Sequence, residues 1–211
     1  MSFAGSEPVG PPIAASDART RLRQSTAELH ESLHRQRDFR DIVLGSITLD
    51  GYASLLKRLY CFHDLFEGML REASPCLVSD IDFSSRAKAQ LLGADIIAVG
   101  AQMEAFDTSH LRDHMPDVGS AEGILGSLYV VEGAGLGGNI LAKKLDRLFG
   151  ADDRTGREFF FGRPRPDSLP WPRFCEILEF HAHTGDFTKI ETAAIRTFQA
   201  LSFWLNDSPC V

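Results

Sequence analysis

LYVVEGAGLGGNILAKKL, residues 128–145, admits two incompatible readings. Gly133-x-Gly135-x-x-Gly138 matches the G-x-G-x-x-G fingerprint for dinucleotide phosphates, and Leu128–Val131 can pass for the strand before it. That reading requires a βαβ unit, a parallel sheet and an acid about twenty residues further on. Asp152 and Asp153 lie near that distance, but in a turn-rich segment with no second strand before them. Period-two apolar patterns are nearly absent elsewhere in the chain. The alternative is a helix carrying Gly133, Gly135, Gly137 and Gly138, each costing about 1 kcal/mol relative to alanine in a helix interior. Close packing on another helix explains one such glycine. Four together predict a kinked helix whose backbone approaches something flat. The fold class predicted is all-α.

Helical patterns extend on both sides. Ser16-Asp17 can cap a helix, and ARTRLRQSTAELHESLHR (18–35) then runs without Gly or Pro. Leu49, Tyr52, Leu55, Leu56, Leu59, Phe62, Phe66 and Leu70 recur near helical spacing in a second, long helix that Pro75 ends. SSRAKAQLLGADIIAVGAQ (84–102) predicts a helix opened by serine, and 105–119 reads as polar and turn-rich. Residues 150–171 hold most of the remaining turn formers, followed by helices at about 172–183 and 188–206. No repeat or inner boundary is visible. The expected organisation is a flexible Gly/Pro/Ser-rich arm (1–16), one helical domain (17–206) and a short tail (207–211).

With 211 residues, 44% hydrophobic and 24% charged, the chain suits one globular domain. A net charge of −7 argues against general affinity for nucleic acid. Cys61, Cys76, Cys175 and Cys210 form no C-x-x-C pair, so free thiols in a reducing cytoplasm are expected. The start lacks the basic and apolar regions of a signal peptide, and no run of roughly 18 apolar residues suggests a membrane span. The expectation is a cytoplasmic protein.

His30-Glu31-Ser32-Leu33-His34 fits the zinc-protease pattern H-E-x-x-H. On a helical wheel Leu22, Leu29 and Leu33 form an apolar stripe with Thr26 beside it. His30 falls roughly 70° from its centre, and Glu31 points almost directly away from the core. A zincin needs that glutamate at the metal-bound water and a third ligand in the cleft. No x-x-G-x-x-H extension follows His34, and the spacing demands neither His63 nor Glu67. A helical metal–carboxylate protein is no better served, since paired E-x-x-H motifs on other helices are missing. The bland alternative makes both histidines polar residues on a helix shoulder. Against it for His30, Arg23 and Arg19 precede it on the same side, which suits an apolar ligand bearing carboxylates. Haem has that character, and neutral imidazole ligates iron well.

TAELHESL (26–33) resembles the proximal-helix motif T-x-x-x-H-x-x-L of haem oxygenases, and LYVVEGAGLGG (128–138) the distal-helix motif of bacterial members. The likeness extends to LDGYASLLKRLYCFHDLFE (49–67), WPRF (171–174) and TFQALSFWL (197–205), covering roughly 17–206 in order. It looks closest to the branch encoded beside bacteriophytochromes. The resemblance implies a single-domain helical bundle with haem between a proximal helix and a kinked, glycine-rich distal helix. By the same resemblance, His30 is the iron ligand with Thr26 beside it. Gly133, Gly137 and Gly138 let backbone approach the haem face, and Arg23 contacts propionate, with Arg19 and Arg196 as further candidates. Ala134 stands where the mammalian-type motif has an aspartate that organises water, and His34 receives no role. The implied reaction cleaves haem with O₂ to biliverdin, CO and ferrous iron. Electrons come from a separate ferredoxin or reductase, and a bacteriophytochrome is the possible biliverdin acceptor. The rival reading is a haem-binding or haem-sensing protein without turnover.

Overall fold

The run 18–35 forms two helices, not one, in the computed structural model: α1 (Ala18–Ser25) and α2 (Ala27–His34). As expected, Asp17 caps the first, its carboxylate accepting from Thr20 N at 2.6 Å. The break falls at Thr26, whose backbone N–H (3.0 Å) and hydroxyl (2.7 Å) both donate to the Leu22 carbonyl. A threonine hydroxyl bonded back four residues typically bends a helix. The ladder resumes at once, with His30 N donating to Thr26 O at 3.0 Å. The structure describes residues 17–73, 78–81, 83, 87–103, 106–151, 153–162 and 171–207, so the expected arm and most of the expected tail lie outside the described residues.

After α3 (Arg37–Leu44), α4 (Leu49–Glu72) buries its whole apolar stripe except Leu49, which is the first helical residue and 45% exposed. α5 (Ala89–Ala98) begins later than its serines suggested. The amides of Lys88 and Ala89 donate to Glu67 Oε1 at 2.6 and 2.9 Å, so the start is set by a carboxylate from α4, while Ser84 and Ser85 lie outside the described residues. The segment that read as turns contains α6 (Ser109–His114), anchored by buried Leu111. α7 (Ala121–Lys144) starts on the Ser120 hydroxyl and continues without a break through all four clustered glycines. Short α8 (Asp146–Phe149) and α9 (Glu158–Phe161) precede α10 (Trp171–Thr184) and α11 (Phe187–Asp207). Among the described residues there is no strand.

α7 lies at the centre and packs most extensively on α11. Gly126 permits the close approach: a Cβ there would collide with the Ile190 carbonyl. By length and composition alone α7 could cross a bilayer, against the expectation from the sequence. Yet 47% of its most apolar window is buried inside the protein, as in the core helix of a bundle.

Two buried arginines tie the periphery to this core. Arg58 of α4 donates to Asp38 of α3 and to the Leu205 carbonyl of α11, both at 2.6 Å, while the Trp204 indole donates to the Arg58 carbonyl at 2.8 Å. Arg157, fully buried, donates to the carbonyls of Ala142 (2.7 Å) and Gly150 (2.6 Å) and to the Asp146 carboxylate (2.6 Å). Asp95 accepts the first amides of α9, from Glu158 (2.9 Å) and Phe159 (2.8 Å). A four-residue helix cannot hold itself together. These bonds fix α9 against α5 and the end of α7.

Candidate active site

α2, the glycine-rich part of α7, α9 and α11 enclose a cleft of about 560 Å³, well inside the range of small-molecule and cofactor sites. Its walls are mainly apolar, from Leu59 and Phe62 of α4, Phe159 and Phe160 of α9, and Phe198 and Leu201 of α11. It is a largely apolar cleft with few polar groups.

His30 opens onto the cleft, with its ring edge-on to Phe198 (centroids 6.1 Å apart). Burial is the main cause that lowers its pKa; His34 and Arg23 add to the effect and Glu31 opposes it. Its imidazole is therefore neutral near pH 7 and keeps a lone pair for a metal. His34 Nε2 lies 3.2 Å from His30 Nε2, within hydrogen-bond distance, with the donor set by the tautomers of the two rings. His34, which sequence reasoning left without a role, is a close neighbour of His30, with ring centroids 4.4 Å apart.

Glu31 turns away from the core, as the wheel indicated. Its carboxylate is exposed and held by Arg35 at 3.4 Å, yet the residue borders the cleft mouth. Leu33 of the apolar stripe and Thr26 beside it border the same cleft, whose wall extends from them round to Glu31. Among the described residues no group of three or more His, Cys, Asp or Glu is placed to hold a metal ion, so H-E-x-x-H gains no third ligand.

The clustered glycines divide by what a side chain would meet. At Gly137 a Cβ would find nothing within 4 Å, whereas at Gly133 it would come within 3.5 Å of Trp171 and at Gly135 within 4.0 Å of Lys88 Nζ. At Gly138 it would collide with the Phe160 carbonyl, so this glycine, although it borders the cleft, is required by the packing of α9 on α7. Ala134 also borders the cleft and brings no polar atom in its side chain. Arg23 and Thr26 line it as well, Thr26 with its hydroxyl already committed to Leu22. Arg19 and Arg196 do not. Arg196 is exposed on α11, and the residues which that helix turns toward the cleft are Phe198 and Leu201.

The sequence reading did not name Lys88, and weighed His63 only as a third zinc ligand that the spacing does not demand. His63 is only 6% exposed and lies on the cleft wall. Its signal was a histidine inside the buried stripe of α4, directly after Phe62. Burial, reinforced by the Lys88 charge, pushes its pKa down to about 3. In the unfolded chain it takes up a proton near 6.5, so the unfolded state binds more protons between these values. Stability is complete above about 6.5 and falls with decreasing pH by up to about 1.4 kcal/mol per unit from this group. Urea unfolding from pH 7 to 4 should show the parent losing more stability than His63→Leu, which cannot titrate. A difference independent of pH would contradict the burial.

The family model described as heme oxygenase matches residues 16–181. The chain belongs to the haem oxygenase family. Solved haem oxygenases share the fold: that of Leptospira interrogans has a TM-score of 0.67 at 20% identity, covering 91% of this chain and 100% of that one. Haem oxygenase-1 of the cyanobacterium Synechocystis, solved in complex with haem, has a TM-score of 0.68 at 17% identity, covering 91% and 92%. No curated protein matches the sequence. The helical bundle expected from the glycine-rich segment is thus the haem oxygenase fold, with α2 and α7 in this member bordering one cleft.

Proposed function

We propose that this chain is a haem-degrading oxygenase in which His30 holds the iron and Gly137 leaves room at the haem face. The observation that carries the reading is their shared cleft, where a neutral histidine and a backbone position with empty space beside it border one apolar slot. Bound haem supplies both the iron at which O₂ is activated and the ring that is oxidised. The protein contributes placement. His30 would hold the iron through a ring nitrogen, and the surrounding phenylalanines would limit the access of bulk water. Gly133 and Gly137 would let a flat ligand approach the backbone of α7 closely, since neither carries a side chain on that face. Biliverdin, CO and ferrous iron are the products, with electrons from an external ferredoxin or reductase. Biliverdin is the bilin that a bacteriophytochrome could accept.

Haemin titration tests the first half, and should give a Soret band saturating near one haem per chain. Adding ascorbate or a reductase in air tests the second, with the Soret band giving way to biliverdin absorbance. Saturable uptake without product would make the protein a haem binder that does not turn over. Weak, unsaturable uptake would end the proposal.

Arg23 gives a second check on the seating. It borders the cleft and acts electrostatically on His30, whereas Arg35 is occupied with Glu31. Arg23→Glu should weaken haem binding roughly tenfold, because a carboxylate there repels propionates, and Arg35→Glu should change it little. Equal effects would remove Arg23 from the site.

A further inference from the structure

We propose that the imidazole of His63 holds a water molecule in the cleft beside the glycine-rich stretch of α7. From Gly133 to Gly138 that stretch has no side chain able to offer a hydrogen bond. His63 comes from α4, is almost wholly buried and borders the cleft, and its Nδ1 has no hydrogen-bond partner. Its ring contacts are the aromatic faces and edges of Phe62 and Phe159, at 5.6 and 5.4 Å between centroids. Those rings define its position without satisfying Nδ1. A buried polar group left this way destabilises a protein, so such groups in native structures usually mark a bound water, ion or functional role.

The surroundings say which. A cation is disfavoured, because the ammonium of Lys88 is close enough to depress protonation of the ring. That ammonium donates to the Val131 carbonyl at 2.6 Å and would lie 4.0 Å from a Cβ on Gly135, which places the His63–Lys88 pair against the glycine-rich turns of α7. A neutral imidazole offers one donor and one acceptor, and helix carbonyls on a glycine face have no Cβ to shield their second lone pair. Water uses both kinds of partner. His63 is thus a positioning residue. It acts through the water it holds, and so provides hydrogen bonding on the side of the cleft where Ala134 offers none. Its part in turnover rests on the proposed haem chemistry, but the water itself does not.

The test begins with a crystal structure of the haem-free protein, in which an ordered water should lie about 2.7–3.2 Å from a His63 ring nitrogen. A dry ring would overturn the proposal. His63→Gln should retain a water there and His63→Leu should lose it. In the ferric haem complex, the pH midpoint of the Soret shift should move by roughly half to one unit in His63→Leu, the effect of one neutral hydrogen bond, and return in His63→Gln. A folded His63→Leu protein with the parent's midpoint would show that the water has no influence on the haem face. Should the leucine variant fail to fold, the parent crystal and the glutamine midpoint decide the matter. A parent that binds no haem but keeps the water would defeat the oxygenase reading and leave His63 assigned.

Discussion

Gly137→Leu should fold as well as the parent, take up haem, and make at most about one hundredth of the parent's biliverdin. The folding part follows from the empty space beside Gly137, where a Cβ meets nothing within 4 Å. A leucine there even recovers most of the helix cost of glycine, about 1 kcal/mol, so the haem-free variant should melt no lower than the parent. Uptake survives because His30 is untouched. Turnover fails because the new side chain projects into the slot that the ring must occupy closely, and misplacement by about 1 Å can cost roughly a hundredfold in rate. Gly138→Ala provides the converse. Its methyl would run into the Phe160 carbonyl, so stability should fall by about 1–3 kcal/mol, with product formation per folded molecule far less affected. Thermal melts beside single-turnover yields separate the two. If Gly137→Leu melts early yet makes biliverdin at the parent's rate, Gly137 is a packing residue and the face assigned to it is wrong.

Arg157→Met should lose about 3–5 kcal/mol, a fall of roughly ten degrees in melting temperature for a chain of this size. The guanidinium is fully buried and serves the end of α7, the Gly150 and Asp153 carbonyls, and the Asp146 carboxylate together. Methionine fills the space but leaves those acceptors without a donor. The consequence reaches the site, because the anchored segment leads directly into α9, which supplies Phe159 and Phe160 to the cleft. Haem affinity should therefore fall along with stability. Arg154→Met, which removes a more exposed pair with Glu158, should shift the melt by no more than about two degrees. Similar small shifts from both variants would mean that Arg157 is not what holds this corner.

Much of the bundle was legible because its long helices carry their own periodicity. The stripe of α4 is buried almost residue for residue, and α7 could be told from a nucleotide-binding strand and turn by the missing second strand. What escaped depended on partners distant in sequence. α5 starts where Glu67 caps it, 21 residues before Lys88, so no local cap could announce the boundary. The division of α1 from α2 comes from one threonine hydroxyl choosing a carbonyl over solvent. Gly137 and Gly138 are indistinguishable as letters and differ only because Phe160 lies behind one of them. Among the candidate residues, Arg196 looked equivalent to Arg23 as a charge, but exposure on α11 keeps it off the cleft. Glu31 is exposed as the wheel indicated, but how far the cleft wall extends around α2 depends on helices distant in sequence and could not be read from the wheel.

The dependence of the cleft on α11 has a consequence for biosynthesis. Phe198 and Leu201 form part of its wall, and the Trp204 indole and Leu205 carbonyl bind back to Arg58 of α4. Those contacts join residues about 146 positions apart, so they form only after α11 has cleared the ribosome. Until then the chain displays the apolar surfaces of α4 and α7 without their partner. A reactive, greasy cofactor offered to the nascent chain would find sticky surface and no finished socket. Completion of the cleft must therefore wait for α11, which acts as the latch that closes its wall.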